Sequence, residues 1–192
     1  LRRITDSYRR MRNTVRFLLG NLHEFDPMQH AVPIAGLVAL DRWAIARTRA
    51  LQEAIVAAYR SYAFHLIYQK VHNFCVVDLG GFYLDILKDR LYTTPQSSHA
   101  RRSAQTAMWH IAESVVRWLA PIVAFTAEEM WGHLSPAAAP APAAAGQGRA
   151  ESVFLSTWHE LPQTGDDGVD WEALMALRAD VARELERLRA AG

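Results

Sequence analysis

The residues best suited to do chemistry are the arginines at the start of the chain. Between Leu1 and Leu22 stand Arg2, Arg3, Arg9, Arg10, Arg12 and Arg16 against one acid, Asp6, a local charge of +5 in a chain whose total is +1. A guanidinium is a planar fork of donors: it bonds two phosphate oxygens or a base edge at once, and its face stacks on an unpaired base. At about 100° per residue on a helix, Arg2, Arg9, Arg12 and Arg16, with Thr5 and Asn13 among them, fall on one arc. Leu1, Ile4, Tyr8, Met11, Val15, Leu18, Leu19 and Leu22 fall on another. The spacing predicts an amphipathic helix that docks by its apolar stripe, Tyr8 included, and turns a cationic face outward. Surface helices usually interleave acids with bases, and only Asp6 is available here. A solvated face and an anion-facing one both fit these residues.

Smaller basic clusters follow. Lys88 and Arg90 flank Asp89, with Tyr92 just beyond, and Arg101 and Arg102 open a later helix where the macrodipole opposes them. Pairing with Asp85, Asp89 or another acid is the alternative use of these four cations. His72 and Cys75 have a spacing one helix could offer a metal, but two ligands do not make a site, and a core Cys beside a core His is the simpler reading. His110 and Glu113 read either as an acid–base pair or as ordinary neighbours on a helix. Gly80 and Gly81 lack the Lys and Ser/Thr of a phosphate loop. Trp109, Trp118 and Trp131 read mostly as core, although a Trp at the rim could stack on a base. These residues spell out neither a catalytic site nor a metal site.

The elements that must position the arginines are legible as helices. A chain of 192 residues, 51% hydrophobic and 10% aromatic, can bury a proper core, and no apolar run approaches a membrane span. Cys75 is the single cysteine, consistent with a reducing cytoplasm. The chain opens in mid-helix without Met and is expected to belong to something larger. Turn formers over 20–36 separate the first helix from a second, about Leu40 to Tyr59, with Asp41 as a possible cap. A third covers Ser61 to about Val77; Asp78 caps the next element, Gly80–Gly81 mark a bend or a close approach, and Pro95 ends it. Ser97 or Ser98 opens the clearest helix, to about Leu119, and Pro121 breaks it. Thr126 and Glu129 form a capping box for a short helix ending near Leu134.

Residues 135–150 are an Ala/Pro-rich stretch that reads as a mobile loop. Residues 151–192 read as a short extended segment, SVFLSTWHELP, then an amphipathic helix from about Asp170 to Ala190, and carry most of the acid: residues 149–192 hold nine acidic and five basic groups. The expected fold class is all-α: an antiparallel helical bundle over 1–134 with a C-terminal helical appendage.

The stretch RWLAPIVAFTAEEMW, residues 117 to 131, resembles the helix–Pro–capping-box segment of the anticodon-binding domain in class I aminoacyl-tRNA synthetases. DSYRRMRNTVRFLLGNL, FYLDILKDRLYT followed by ARRSAQTA, LDRWA, and Phe64–His65 are similar to the bacterial isoleucyl-tRNA synthetases in particular, and WEALMALRADVARELE extends the likeness toward the C-terminus. The resemblance implies a monomeric, cytoplasmic parent enzyme that attaches isoleucine to its tRNA using ATP and Mg, with zinc in a C-terminal module. This piece would be the bundle that grips the anticodon arm alongside the parent's catalytic and C-terminal domains. The family's H-I-G-H and K-M-S-K-S signatures are not in this sequence, so the piece is expected to bind without catalysing and to need no cofactor or metal of its own. Arg12 and Asn13 match the Arg-Asn of the family's first bundle helix. The expected tRNA-binding set is Arg9, Arg12, Asn13 and Arg16, extended by Lys88, Arg90, Arg101 and Arg102. A helical adaptor for an acidic protein partner, or the equivalent domain of a valyl- or leucyl-tRNA synthetase, are the competing readings.

Overall fold

The computed structural model describes residues 2–134, 149–166 and 168–191. Its helices are α1 (Arg2–Asn21), α2 (Pro27–His30), α3 (Ala39–Arg60), α4 (Phe64–Asn73), α5 (Leu84–Thr93), α6 (His99–Leu119), α7 (Ala124–Leu134) and α8 (Trp171–Ala191), and the described residues contain no strand. Most of the expected loop over 135–150 lies outside the described residues.

Contacts at matching ends give the topology. The Gln105 amide near the start of α6 donates to the Asn21 carbonyl at the end of α1, and the Tyr8 hydroxyl near the start of α1 meets Thr126 beyond the end of α6. The Val38 N–H before α3 donates to Ser103 early in α6, while the Tyr59 hydroxyl late in α3 donates to the Trp118 carbonyl late in α6. Helix α6 therefore runs opposite to α1 and parallel to α3. The α4–α5 limb between α3 and α6 returns the other way, its Arg90 near the end of α5 meeting Asp41 at the start of α3, as an up-and-down bundle requires. Helix α6 is its axle: Ala104, Ala107, Met108, Ile111, Ala112, Val115, Val116 and Trp118 are fully buried. Ser98 caps it, accepting from the Arg101 N–H, and the helix stops at Leu119, before Pro121.

Helix α1 docks by Met11, Val15 and Leu18, all buried, whereas Ile4 at its outer end is exposed and Tyr8 is half-buried. The Ser61 start expected for the third helix falls three residues late, because Tyr62 takes a left-handed φ of 57° that ends α3. Asp78 opens no new helix. The chain continues from α4 into α5 through a π-helical run, Phe74–Tyr83. There Gly80 and Gly81 meet the expectation of a close approach rather than a bend: a Cβ on either would lie 3.1 Å from the Cys75 carbonyl oxygen or 3.3 Å from that of Val76. Asp78 instead pairs with Arg47 at 3.2 Å.

Asp41 is likewise no cap. It sits in the first turn of α3 with no exposed surface and accepts from the Tyr83 hydroxyl at 2.8 Å, from Ser103 and from Arg90 at 2.6 Å. Burial pushes its carboxyl above the ordinary range, against the pull of Arg90 and the two hydroxyls.

Residues 149–161 form a strap rather than a strand: apart from a single 3₁₀ turn, Val153–Leu155, they run without ladder partners and tie back to the bundle. Val153 is in the core, Trp131 donates to the Ala150 carbonyl, and Arg149 lies over the Trp131 ring at 3.6 Å while pairing with Glu113. Arg149 and Ala150, assigned to the mobile loop on composition, are thus anchored. Helix α8 docks through Trp171 against Trp43 and leaves Leu177, Val181, Leu185 and Leu188 half-exposed or more.

Candidate nucleic-acid interface

Two helices that run in the same direction, α1 and α7, leave a furrow between them that the 22–27 turn closes at one end. The result is a cleft of about 870 Å³ lined by Arg12, Asn13 and Arg16 of α1, Phe25 of the turn, Trp109 of α6 and Glu129 of α7. Size and lining match a ligand-sized site: apolar walls with a few convergent polar groups.

Each wall is held from behind. Arg102 of α6 donates to the Glu24 carbonyl at 3.3 Å and to the Gln105 side chain at 2.9 Å, and Gln105 in turn holds the end of α1. Asp26 caps α2, accepting from the Met28 N–H at 2.9 Å, with Pro27 at the first helical position. Across the furrow, Arg12 makes a two-pronged pair with Glu129, both bonds at 2.9 Å, and Tyr8 meets Thr126 at 2.8 Å. The Arg12 bonds hold the Glu129 carboxyl below the usual range, and hydrogen bonds with Thr126 and Arg12 lower Tyr8.

The capping box expected at Thr126 and Glu129 is overturned by these contacts. Helix α7 begins at Ala124, and both side chains reach out to α1 instead of back to their own helix end.

Of the eight residues expected to contact RNA, the structure brings three to this cleft: Arg12, Asn13 and Arg16. Asn13 and Arg16 are exposed and have no partner among the described residues, whereas Arg12 is engaged by Glu129. Arg9 lies outside the cleft lining, exposed near Asp6 at 4.0 Å. The other four are elsewhere. Lys88 is exposed and pairs with Asp85 at 3.0 Å. Arg90 is a correction to the expected set: its guanidinium is turned inward onto buried Asp41, and only 16% of its side chain is exposed. Arg101 reaches the Thr94 carbonyl at 3.5 Å with its Nε buried, and Arg102 braces the cleft from behind rather than lining it. Neither takes the acid partner that was the alternative reading.

Trp109 is the rim tryptophan; Trp118 and Trp131 are buried. Phe25 and Glu129 were missed. The signal for Phe25 was weak, an aromatic within a run of turn formers, and Glu129 was hidden by a local motif that explained it otherwise.

The remaining candidates for chemistry resolve as structure. Burial pushes the Cys75 thiol up to about 12, so it is no thiolate. His110 does not pair with Glu113 but meets His159 of the strap, Nδ1 to Nε2 at 2.8 Å, while Glu113 is buried and bound by Arg117 and Arg149. Among the described residues, no helix is long and apolar enough to cross a membrane.

Comparison with known proteins gives this geometry a context. Residues 41–192 match a family described as the anticodon-binding domain of tRNA ligase. The chain is 58% identical to an isoleucine–tRNA ligase of Halorhodospira halophila over 98% of its own length and 19% of the relative's. It is 55% identical to that of Nitrosococcus oceani and 49% identical to that of Xanthomonas axonopodis pv. citri, each over its whole length and 20% of the relative's. It thus spans about one fifth of the length of these curated relatives, and the similarity takes in α1, which precedes the family match. The cleft between α1 and α7 therefore belongs to a member of the anticodon-binding domain family of tRNA ligases.

Proposed function

We propose that this chain grips the anticodon arm of the isoleucine tRNA on behalf of a parent isoleucine–tRNA ligase. The observation that carries the reading is the convergence of Arg12, Asn13 and Arg16 on one cleft beside an aromatic wall. Sequence in RNA is read mostly at unpaired loops, whose splayed bases stack on aromatic rings and arginine planes and bond through their edges. Asn13 supplies a donor and an acceptor for an edge; Arg16 and, about two turns toward the start of α1, Arg9 supply charge for the backbone. The parent, a cytoplasmic monomer, uses ATP with Mg to activate isoleucine in a domain outside this chain, carries any zinc in another, and draws from this one the placement of the tRNA.

The test is a titration of the full parent polypeptide with transcripts bearing isoleucine, valine or leucine anticodons on one tRNA body. Preference for the isoleucine anticodon that disappears in an Asn13→Ala, Arg16→Ala variant supports the reading. Equal binding of all three transcripts, or a preference unaffected by the two substitutions, rules it out.

A further inference from the structure

Arg12 is the arginine whose sequence context pointed most directly at RNA, yet its charge is already spent. Both terminal nitrogens of its guanidinium are bonded to Glu129, one to each carboxylate oxygen at 2.9 Å, and the Tyr8 hydroxyl stands 3.4 Å from the first. The pair is exposed, with 43% of the Arg12 side chain and 51% of that of Glu129 accessible, and exposed pairs add little to stability. Packing gives no reason for an acid here, because Tyr8–Thr126 and the buried α1 stripe already seat the helix. The consequence of Glu129 is therefore to be sought in what the cleft binds.

Counting charge along the cleft decides what that is. The lining holds two guanidiniums, Arg12 and Arg16, three carboxylates, Glu24, Asp26 and Glu129, and two imidazoles, His23 and His133. With both imidazoles uncharged, a phosphate group entering the cleft would meet more negative than positive charge. An uncharged base would meet none of that cost, and half-buried Leu19 and Trp109, backed by buried Phe25 and Met130, offer its faces an apolar wall. A guanidinium locked flat against a carboxylate keeps its plane and loses its pull on distant anions, which makes it a stacking surface rather than an anchor.

We propose that Glu129 is a specificity-determining residue: by holding Arg12 in the two-pronged pair it converts a phosphate anchor into a charge-compensated plane on which an unpaired anticodon-loop base stacks inside the cleft. Phosphate neutralisation is left to Arg16, which has no partner among the described residues, and to Arg9, whose exposed pair with Asp6 is a single contact at 4.0 Å. Binding energy is thereby drawn from a base, which carries sequence, rather than from a backbone shared by every tRNA. The inference rests on the tRNA-binding reading of the same cleft.

The salt dependence of binding separates the two roles, because each phosphate contact adds about 0.7–0.9 to the slope of log K against log salt. The measurement uses the full parent polypeptide with isoleucine and non-cognate tRNA transcripts, and a thermal melt of each variant checks its fold. Arg16→Ala should lower the slope by about one contact for both tRNAs. Arg12→Ala and Arg12→Lys should leave the slope unchanged and weaken cognate binding about tenfold, Lys failing because it has charge without a plane. Glu129→Gln should steepen the slope by about one contact and raise non-cognate affinity, so that the cognate preference narrows. A drop in slope for Arg12→Ala equal to that for Arg16→Ala, or an unchanged slope and preference for Glu129→Gln, overturns the proposal. Absence of binding by the wild type would instead overturn the tRNA reading itself, and this inference with it.

Discussion

Arg90 reaches across from α5 to place its guanidinium 2.6 Å from the carboxylate of Asp41, which has no exposed surface. The Tyr83 and Ser103 hydroxyls complete the shell of Asp41 from the π-helical run and from α6. One acid thus ties three helical segments to the first turn of α3. Removing one partner of a buried, hydrogen-bonded pair leaves a charge without compensation, at a cost of about 3–5 kcal/mol. Arg90→Ala should therefore lower stability by that amount in a denaturant melt, with tRNA affinity of the folded fraction unchanged. A loss of tRNA binding without loss of stability would return Arg90 to the RNA-contacting set.

The same residue explains what the sequence could and could not disclose. Periodicity alone locates α1, α3, α6 and α8 to within a residue or two, because an apolar stripe, buried or not, is a local pattern with a long run. Capping is also local, and Ser98 caps α6 as expected, but at three acids the reading failed. Asp41, Asp78 and Glu129 each stand where an acid could cap a helix. Their partners lie 42, 31 and 117 residues away in Tyr83, Arg47 and Arg12. No spacing rule reaches that far. The cleft was half legible for this reason: the arc of α1 could be drawn on a wheel, but the wall facing it comes from Phe25, Trp109 and Glu129, brought there only by tertiary packing.

The glycines of the helices divide into two kinds, and alanine should tell them apart. Gly132 in α7 has open space where a Cβ would go, so Gly132→Ala should stabilise the protein by about 0.5–1 kcal/mol through helix propensity. Gly80 has the Cys75 carbonyl oxygen 3.1 Å from the same position, inside a rigid backbone turn. Gly80→Ala should cost about 1–3 kcal/mol and broaden the unfolding transition as the π-helical run shifts. Equal effects at the two sites would mean that the wide turn tolerates a side chain.

Acid should loosen the strap before it melts the bundle. Burial lowers His110 to about 4 and His159 to about 2, the latter helped by the charges of His110, Arg117 and Arg149; Glu113 nearby pulls His110 the other way. In the 2.8 Å contact one ring must donate and the other accept, so the accepting ring must be neutral, and burial disfavours charge on either. The unfolded chain takes up these protons near 6.5, so stability is complete above that pH. It falls through both histidines as pH drops from 6.5 toward 4, and through His159 alone from there toward 2. Asp41, held high by burial, takes its proton in the native state first and offsets part of the loss. His110→Gln should remove about half of the decline between pH 6.5 and 4, a His110 contribution of about 2–3 kcal/mol. Melts of the two proteins that stay parallel across this range would exclude the histidine pair as the acid-sensitive element.

Trp109 offers a direct view of the cleft. It lines the opening opposite Arg12 and Arg16, and its ring packs edge-on against His159 at 5.3 Å, so it is fixed before any ligand arrives. A base entering the cleft gains a stacking wall worth about 1–3 kcal/mol. Trp109→Leu keeps the site apolar but removes the large ring, and should weaken cognate tRNA binding within that range while leaving the salt slope unchanged. Lys88→Ala, outside the cleft lining and paired with Asp85, should change neither affinity nor slope. If instead Lys88→Ala lowers the slope and Trp109→Leu has no effect, the RNA lies along α5, and the furrow between α1 and α7 is not its seat.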